Sequence, residues 1–253
     1  MVWYELLTSD PKGAIAFYTE VVGWKTQMWE GGGYTMWVAS QGSLGGVSEL
    51  PAQAKQMGAT PYWQANIQVD NVDEATSKVK ALGGKVLHVE DVPTVGRIAV
   101  IADPQGAVVA LFTPTREMPV HDITKDGEFS WHELYTTDYK AAFDFYRQVA
   151  GWEKLAEHDM GPMGIYLLWG RDGTQLGGMM TMPATMKTPD GKPVPPSWMY
   201  YVTTSSLDAM LERAKTKGAR VINGPMEVPG GQRIVQLMDP QGAAFALVTP
   251  PQA

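Results

Sequence analysis

The sequence predicts an α+β fold of four βαβββ modules, arranged as two tandem halves of two modules each. One observation is that the chain repeats itself. The segment "WYELLTSD" at 3–10 returns as "WHELYTTD" at 131–138, and "GRIAVIADPQGAVVALFTP" at 96–114 returns as "QRIVQLMDPQGAAFALVTP" at 232–250. The other is that a strand pattern, a helix pattern and three more strand patterns follow one another twice in each half.

The first half shows how residue types set these elements. After the strand "VWYELLT", Asp10 suits a helix N-cap and Pro11 the first helical position, while Gly23 ends the helix. The segments "KTQMWE", "YTMWVAS" and "LGGVSEL" follow as strands. The second module starts with "YWQANIQVD", where Asp70 or Asn71 caps the next helix, and it continues with "KVLHVEDV", "RIAVIAD" and "AVVALFT".

The repeat also sets the predicted domain boundaries. We expect a first domain at 1–116, a polar linker at 117–128 and a second domain at 129–253. Single residues recur in step with the longer motifs. These pairs are Phe17/Phe145, Tyr18/Tyr146, Trp24/Trp152, Tyr34/Tyr166, Trp37/Trp169, Gly45/Gly177 and Gly46/Gly178.

Composition excludes several classes of function. The 253 residues carry a formal net charge of −7 without a basic cluster, so nucleic acid and anionic membrane are poor partners. The chain has no cysteine, which excludes disulfides, thiolate zinc sites and a cysteine nucleophile. We see no signal-peptide pattern and no apolar run of about 18 residues, so we expect a cytoplasmic protein. The fused halves predict a monomer that acts as a pseudo-dimer.

The repeated pattern resembles a known family. The motif "FY…GW" together with "DPQG", present in both halves within βαβββ modules, resembles the vicinal oxygen chelate superfamily, which includes glyoxalases, bleomycin-resistance proteins and extradiol dioxygenases. The resemblance covers essentially the whole chain. It looks most like the tandem two-domain branch labelled hydroxylase or mycobacterial-antigen-like. It implies two tandem glyoxalase/bleomycin-resistance-like domains in which a curved sheet surrounds a cup.

The same resemblance implies where a metal would bind. Metal-dependent members place ligands at three positions per half, on the first, fifth and last strands. In this sequence those positions hold Trp3, Gln64, Ala110, Trp131, Met199 and Ala246. None is a histidine or a carboxylate, and amide or thioether groups bind hard or borderline cations weakly. We therefore predict no metal and no other cofactor, with a divalent metal at an atypical site as the alternative.

Glutamates on the first strand of each half are the candidate catalytic residues. Side chains alternate between the two faces of a strand, so Glu133 shares a face with Trp131 and His132 faces the other way. By the same alternation, Glu5 lies on the face of Trp3. The resemblance implies that this face looks into the cup. We therefore predict that Glu5 and Glu133 line the cups and that His132 packs in the core.

The predicted ligand-binding residues follow from the same alternation along the cup strands. In the first half they are mostly amides, whereas in the second half they are methionine and tyrosine. They are Trp3, Gln64, Asn66, Gln68, Phe112, Trp131, Tyr135, Met199 and Tyr201. The sequence does not decide which modules pair to form each cup.

The two glutamates admit three roles. Burial near tryptophan raises a carboxyl pKa, which suits a general acid or base. A carboxylate beside an aromatic ring also suits a cationic ligand. A structural role is equally open, and Arg97 and Arg233, which both precede a DPQG strand, are possible pairing partners.

Our first hypothesis is a metal-independent protein that binds a small molecule in an aromatic cup. The alternative is a lyase, isomerase or hydroxylase of the same superfamily that uses Glu5 or Glu133 as its base, with no metal or with an atypical metal site. A third hypothesis is an interaction module whose cups are vestigial. The expected partner is a small-molecule ligand or substrate.

Overall fold

The computed structural model describes residues 1–56, 58–183, 185–188 and 191–251, and it confirms the α+β fold. The first half contains β1 (Trp3–Thr8), α1 (Pro11–Val21), β2 (Lys25–Met28), β3 (Thr35–Ala39), β4 (Gly42–Glu49), α2 (Ala52–Gln56), β5 (Tyr62–Gln68), α3 (Val72–Ala81), β6 (Lys85–Val92), β7 (Gly96–Ala102) and β8 (Val108–Pro114). The second half contains β9 (Phe129–Thr136), α4 (Tyr139–Ala150), β10 (Glu153–Asp159), β11 (Ile165–Arg171), β12 (Thr174–Thr181), β13 (Ser197–Thr203), α5 (Leu207–Thr216), β14 (Arg220–Glu227), β15 (Arg233–Met238) and β16 (Ala244–Val248).

These strands form two eight-stranded mixed sheets of the same order. The first sheet is β2-β3-β4-β1-β5-β8-β7-β6, and the second is β10-β11-β12-β9-β13-β16-β15-β14. Within each module the first strand pairs in parallel with the last, as β1 does with β4 and β5 with β8. The other strand pairs within a module are antiparallel, as β2 with β3 and β3 with β4. The predicted module pattern is therefore correct.

Polar caps fix the helix starts. Asp10 accepts a hydrogen bond from the backbone N–H of Gly13 at 3.0 Å. Of the two cap candidates for α3, Asn71 is the one that accepts from the backbone N–H groups of Asp73 and Glu74. The short helix α2 was not predicted, because five residues are too few to show a helical period.

By its contacts the chain divides into two compact units made of non-consecutive segments. Unit 1 comprises Met1–Val2, Ala65–Met118 and Trp131–Met199, and unit 2 comprises Trp3–Gln64, Pro119–Ser130 and Tyr200–Ala253. Each unit thus combines the first module of one half with most of the second module of the other half. The boundaries at 116 and 129 describe the sequence repeat, and they stay a prediction as domain limits.

The core of unit 2 is an aromatic cluster around Tyr18 of α1. Its ring lies 5.6 Å from Trp24 and 5.2 Å from Trp63, measured between centroids. The Tyr18 hydroxyl donates to Asp239 Oδ2 at 3.1 Å and accepts from Trp63 Nε1 at 2.9 Å. The other carboxylate oxygen of Asp239, Oδ1, accepts from the backbone N–H of Gly242 at 2.8 Å and from two neighbouring N–H groups. The buried aspartate therefore joins its own turn to α1.

Unit 1 repeats this arrangement. The hydroxyl of Tyr146 on α4 donates to Asp103 Oδ2 at 3.2 Å, and Trp198 Nε1 donates to that hydroxyl at 3.3 Å. Asp103 Oδ1 accepts from the backbone N–H groups of Gln105, Gly106 and Ala107. Both DPQG turns are therefore structural, as the sequence predicted.

Among the helices in the described part of the chain, none has the length and apolar character needed to cross a bilayer.

We expect Asp239→Ala to lower the free energy of unfolding by about 2–4 kcal/mol, because the Tyr18 hydroxyl and three N–H groups lose their acceptor in a buried place. Urea denaturation measures the change. Asp208→Ala is the control, since this exposed aspartate pairs with Arg233 at the surface and should change stability little. Equal effects of the two substitutions would contradict the structural role of the DPQG aspartate.

Candidate functional site

A hydrogen-bonded chain of tryptophan, tyrosine and glutamate lies on the first sheet. Trp3 Nε1 donates to the Tyr34 hydroxyl at 3.0 Å, and that hydroxyl donates to Glu5 Oε2. Ser48 Oγ donates to the other carboxylate oxygen of Glu5 at 2.6 Å. All four side chains are partly buried and belong to unit 2. We call this group the first Trp–Tyr–Glu site.

The second half builds the same chain within unit 1. Trp131 Nε1 donates to the Tyr166 hydroxyl at 3.0 Å, and Tyr166 is hydrogen-bonded to Glu133. Glu133 is buried, whereas Trp131 and Tyr166 are partly buried. We call this group the second Trp–Tyr–Glu site. Two copies of one geometry show that it depends on the repeated residues and not on an accident of one half.

Strand alternation separates the residues of these sites from the core, as predicted. On β1, Tyr4 and Leu6 are buried in the core, while Trp3 and Glu5 lie on the opposite, partly exposed face. On β9, the adjacent His132 is buried on the core face. Its Nδ1–H donates to the Leu176 carbonyl at 2.7 Å, and burial lowers the pKa of His132 to about 3. His132 is therefore a neutral residue that packs on the core face, opposite the face of Glu133.

The repeated glycine pairs make room for the tyrosines. Gly46 is opposite Glu5 in the β1–β4 register, and a Cβ there would overlap the Tyr34 hydroxyl. A Cβ at Gly178 would likewise overlap the Tyr166 ring. A Cβ at the preceding Gly45 would meet the backbone carbonyl of Tyr4. The first glycine of each pair therefore permits close strand approach, and the second permits the tyrosine to reach the glutamate.

Burial sets the electrostatics of the first site. It raises the pKa of Glu5 above its ordinary value, although the hydrogen bonds from Ser48 and Tyr34 oppose this in part. Burial and the Glu5 charge also raise the pKa of Tyr62 to about 12. The same two causes raise the pKa of Tyr34. Tyr34 and Tyr62 are therefore hydrogen-bond donors at neutral pH, whereas the pKa of Glu5 is shifted towards neutral pH.

The second site has a different environment. The position of Ser48 is taken by Met180, and the position of Leu7 by Tyr135, in matching strand registers. Burial, and then the Glu133 charge, raises the pKa of Tyr166. The tyrosine is therefore a donor to Glu133, but no serine hydroxyl takes the place of Ser48 there.

The residues at the family's ligand positions do not fit a metal ion. Trp3 already donates its indole N–H to Tyr34, and Ala110 and Ala246 have no ligating atom. Gln64 is buried, and its Oε1 has no hydrogen-bond partner within the described residues. Across the residues that the structure describes, no three His, Cys, Asp or Glu side chains come together in a group that could hold a metal.

The other predicted ligand-binding residues have varied surroundings. Asn66, Phe112, Met199 and Tyr201 are buried. The Tyr201 hydroxyl accepts from Gln236 Nε2 at 2.6 Å, which ties that ring into the core of unit 2. Gln68 is exposed at the end of β5, because the strand stops there, and its role as a ligand-binding residue stays a prediction.

The two arginines that were possible partners of the glutamates, Arg97 and Arg233, pair with other residues. Arg97 pairs with Asp73 at 2.9 Å and with Asp91 at 2.8 Å. Arg233 pairs with Asp208 at 2.8 Å. These arginines therefore have exposed aspartate partners of their own. The true partners of the glutamates are Tyr34 and Tyr166, which sequence reasoning noted only as a recurring pair and did not place in the site.

Both halves of the chain match glyoxalase-type protein families. Residues 128–247 match the Glyoxalase/Bleomycin resistance protein/Dioxygenase superfamily, and residues 3–112 match a Glyoxalase-like domain. "Putative glyoxylase CFP32" of Mycobacterium tuberculosis (strain CDC 1551 / Oshkosh) is 31% identical over 253 residues, covering 98% of this chain and 94% of that protein. "Anthracycline biosynthesis protein DauV" of Streptomyces sp. (strain C5) is 30% identical over 267 residues, covering 97% of this chain and 91% of that protein.

A solved structure shares the fold. The Mn(II)-bound glyoxalase from Novosphingobium aromaticivorans superposes with a TM-score of 0.65 at 15% identity, over 99% of this chain and 82% of that one. At such low identity the likeness establishes the architecture and leaves the chemistry to the residues of each protein.

We expect the stability of the wild type, relative to Glu5→Gln, to fall as pH rises from about 4 to 8. The pKa of Glu5 is raised in the folded protein above its ordinary 4.5, so its stabilising contribution is complete below pH 4.5 and is lost as pH rises through the folded-state pKa. Urea denaturation at several pH values measures the difference. The exposed Glu30→Gln is the control and should follow the wild type. A wild type that becomes more stable relative to Glu5→Gln as pH rises would contradict the assignment.

We expect Gly46→Ala to destabilise the protein by about 1–3 kcal/mol, because the new methyl group overlaps the Tyr34 hydroxyl and forces the ring off Glu5. Adding Tyr34→Ala should restore part of that loss, since the overlap disappears with the ring. Urea denaturation of both single variants and the double variant measures the coupling. Strictly additive effects would show that Gly46 does not serve to seat Tyr34.

Proposed function

Because the chain belongs to the glyoxalase/bleomycin resistance protein/dioxygenase superfamily, we propose that it binds a small oxygenated organic molecule at its Trp–Tyr–Glu sites without a metal ion. One observation carries the proposal. In both halves a carboxylate is held by a tyrosine that is itself held by a tryptophan, on the strand face where metal-dependent relatives place ligands. The carboxylate takes over the polar recognition that a metal supplies in those relatives.

The site residues suit such a ligand. Trp3 and Tyr34 are partly exposed, and they provide aromatic surface against which a flat molecule packs. Glu5 has carboxylate lone pairs beyond those used by Tyr34 and Ser48, so it accepts a further hydrogen bond from a ligand hydroxyl. A cationic group on the ligand would gain from the same carboxylate and from the adjacent ring.

The donor set supports independence from metal. Trp3 and Trp131 occupy the first-strand ligand positions, and each spends its single N–H on a tyrosine. Gln64 and Met199 occupy the fifth-strand positions with weak ligand atoms. Loss of metal should therefore leave binding intact.

A second candidate function is proton transfer by Glu5, and the raised pKa of Glu5 favours it. Glu5 would take a proton from a carbon beside a carbonyl of the substrate and return it to a different atom of the same molecule, as in an isomerisation. Two relatives are named as a putative glyoxylase and an anthracycline biosynthesis protein, and both names are consistent with a reaction on oxygenated carbonyl compounds. Ser48 would position the carboxylate through its 2.6 Å hydrogen bond.

The test is calorimetric titration of the full chain with 6,7-dihydroxyanthraquinone-2-sulfonate and a panel of smaller hydroxyquinones, catechols and 2-oxoaldehydes. We expect at least one to bind with an affinity that EDTA leaves unchanged within twofold. Glu5→Gln or Glu133→Gln should weaken that binding by about tenfold, the effect of about 1.4 kcal/mol. The exposed Glu49→Gln, on the same strand as Ser48, is the matched control.

Two results would contradict the proposal. One is binding that EDTA abolishes and Mn²⁺ restores. The other is an absence of binding across the whole panel, which would favour an interaction module. Conversion of a bound compound, lost in Glu5→Gln and not in Glu49→Gln, would establish the enzymatic alternative.

A further inference from the structure

The two Trp–Tyr–Glu sites have the same hydrogen-bonded tryptophan, tyrosine and glutamate, and they differ in the residues around these three. In the first half, Ser48 and Gln64 are polar neighbours on β4 and β5. In the second half, the corresponding residues are Met180 and Met199. The correspondence follows from the strand registers for the first pair. For the second pair it follows from the preceding tryptophans, which both donate to a core tyrosine.

Gln64 faces the first site. Trp63 points into the core, where its Nε1 donates to Tyr18, so the next residue along the strand points to the opposite face. Tyr62 shares that face with Gln64, and the charge of Glu5 acts on the Tyr62 hydroxyl. Gln64, Tyr62 and Glu5 also belong to the same compact unit.

The amide of Gln64 has an unused acceptor. Its side chain is 5% exposed, and its Oε1 has no hydrogen-bond partner within the described residues. A buried acceptor without a donor is unfavourable, and a bound group that donates to it relieves that loss. Neither the Tyr62 hydroxyl nor Ser48, which donates to Glu5, donates to this oxygen, so the matching donor would come from the ligand.

The second site has no such acceptor on the corresponding strand position. Met199 and Met180 are both buried and apolar, and thioether side chains pack well against aromatic rings. Tyr135 shares their strand face and interacts with Tyr166. The surroundings of Glu133 therefore favour an aromatic or apolar group that needs no hydroxyl.

We propose that the two sites select different chemistry: the first binds an aromatic ligand edge that bears a hydroxyl donor, which Gln64 recognises, and the second binds an aromatic or apolar group with no such requirement. The inference rests on the proposed function, and it adds the ligand class of each site. Sites with hydrogen-bonding groups discriminate strongly against ligands that lack the matching group, because the buried group is then left unpaired.

The experiment compares two probes on the full chain by isothermal titration calorimetry. Anthraquinone-2-sulfonate and 6,7-dihydroxyanthraquinone-2-sulfonate share the ring system and the sulfonate, and they differ only in two hydroxyl groups that lie away from the quinone carbonyls and are free to donate. We expect the dihydroxy probe to bind one site at least tenfold more tightly than the parent probe. The second site should bind both with similar affinity.

Gln64→Met gives the first half the residue of the second half. We expect it to weaken the dihydroxy probe about tenfold at the tighter site and to change the parent probe less than twofold. Gln27→Met, the same change at an exposed position of β2, is the matched control. Gln64→Glu keeps an acceptor oxygen and should retain the preference for the hydroxylated probe, which also guards against a methionine variant that fails to fold.

The outcomes separate the two proposals. Equal affinity of the two probes in the wild type, or an equal loss for both in Gln64→Met, would overturn the division between the sites and leave the proposed function standing. Failure of both probes and of the whole panel described above would overturn the proposed function and this inference with it.

Discussion

In each compact unit a buried aspartate, held by neutral hydrogen-bond donors, joins a turn to a distant helix. Asp103 and Asp239 each satisfy one carboxylate oxygen with three backbone N–H groups and the other with a tyrosine hydroxyl from a distant helix. Burial raises the pKa of both carboxyls, and these donors offset part of that effect. Because Tyr18 and Tyr146 also bond Trp63 and Trp198, the packing of the aromatic core in each unit depends on this contact.

The fold and the strand faces of the candidate residues on β1 and β9 were predictable from sequence. The repeat identified the modules, and alternation along β9 separated His132 from Glu133 correctly. The tyrosine partners were not predictable, because Tyr34 precedes β3 and reaches Glu5 only once β3 and β4 pair across Gly46. Periodicity describes one strand, whereas this contact joins side chains from different strands.

Long side chains and strand ends limited what strand alternation could predict at other positions. Arg97 lies beside a DPQG strand, yet its flexible stem carries the guanidinium to Asp73 and Asp91. Gln68 has the right alternation, but it is the last residue of β5 and is exposed. The alternation of side chains assigns each residue to one face of the sheet. Whether that residue is buried also depends on how far the strand extends.

The composition of the compact units bears on how the chain folds. Tyr18 and Asp239 are 221 positions apart in sequence, yet they share one buried hydrogen bond. The buried hydrogen bond between Tyr18 and Asp239 in unit 2 therefore forms only after the last module has been synthesised, whereas Tyr146 and Asp103 in unit 1 leave the ribosome earlier. Contacts of such separation slow folding, and they leave the apolar surface of the opening module exposed for longer.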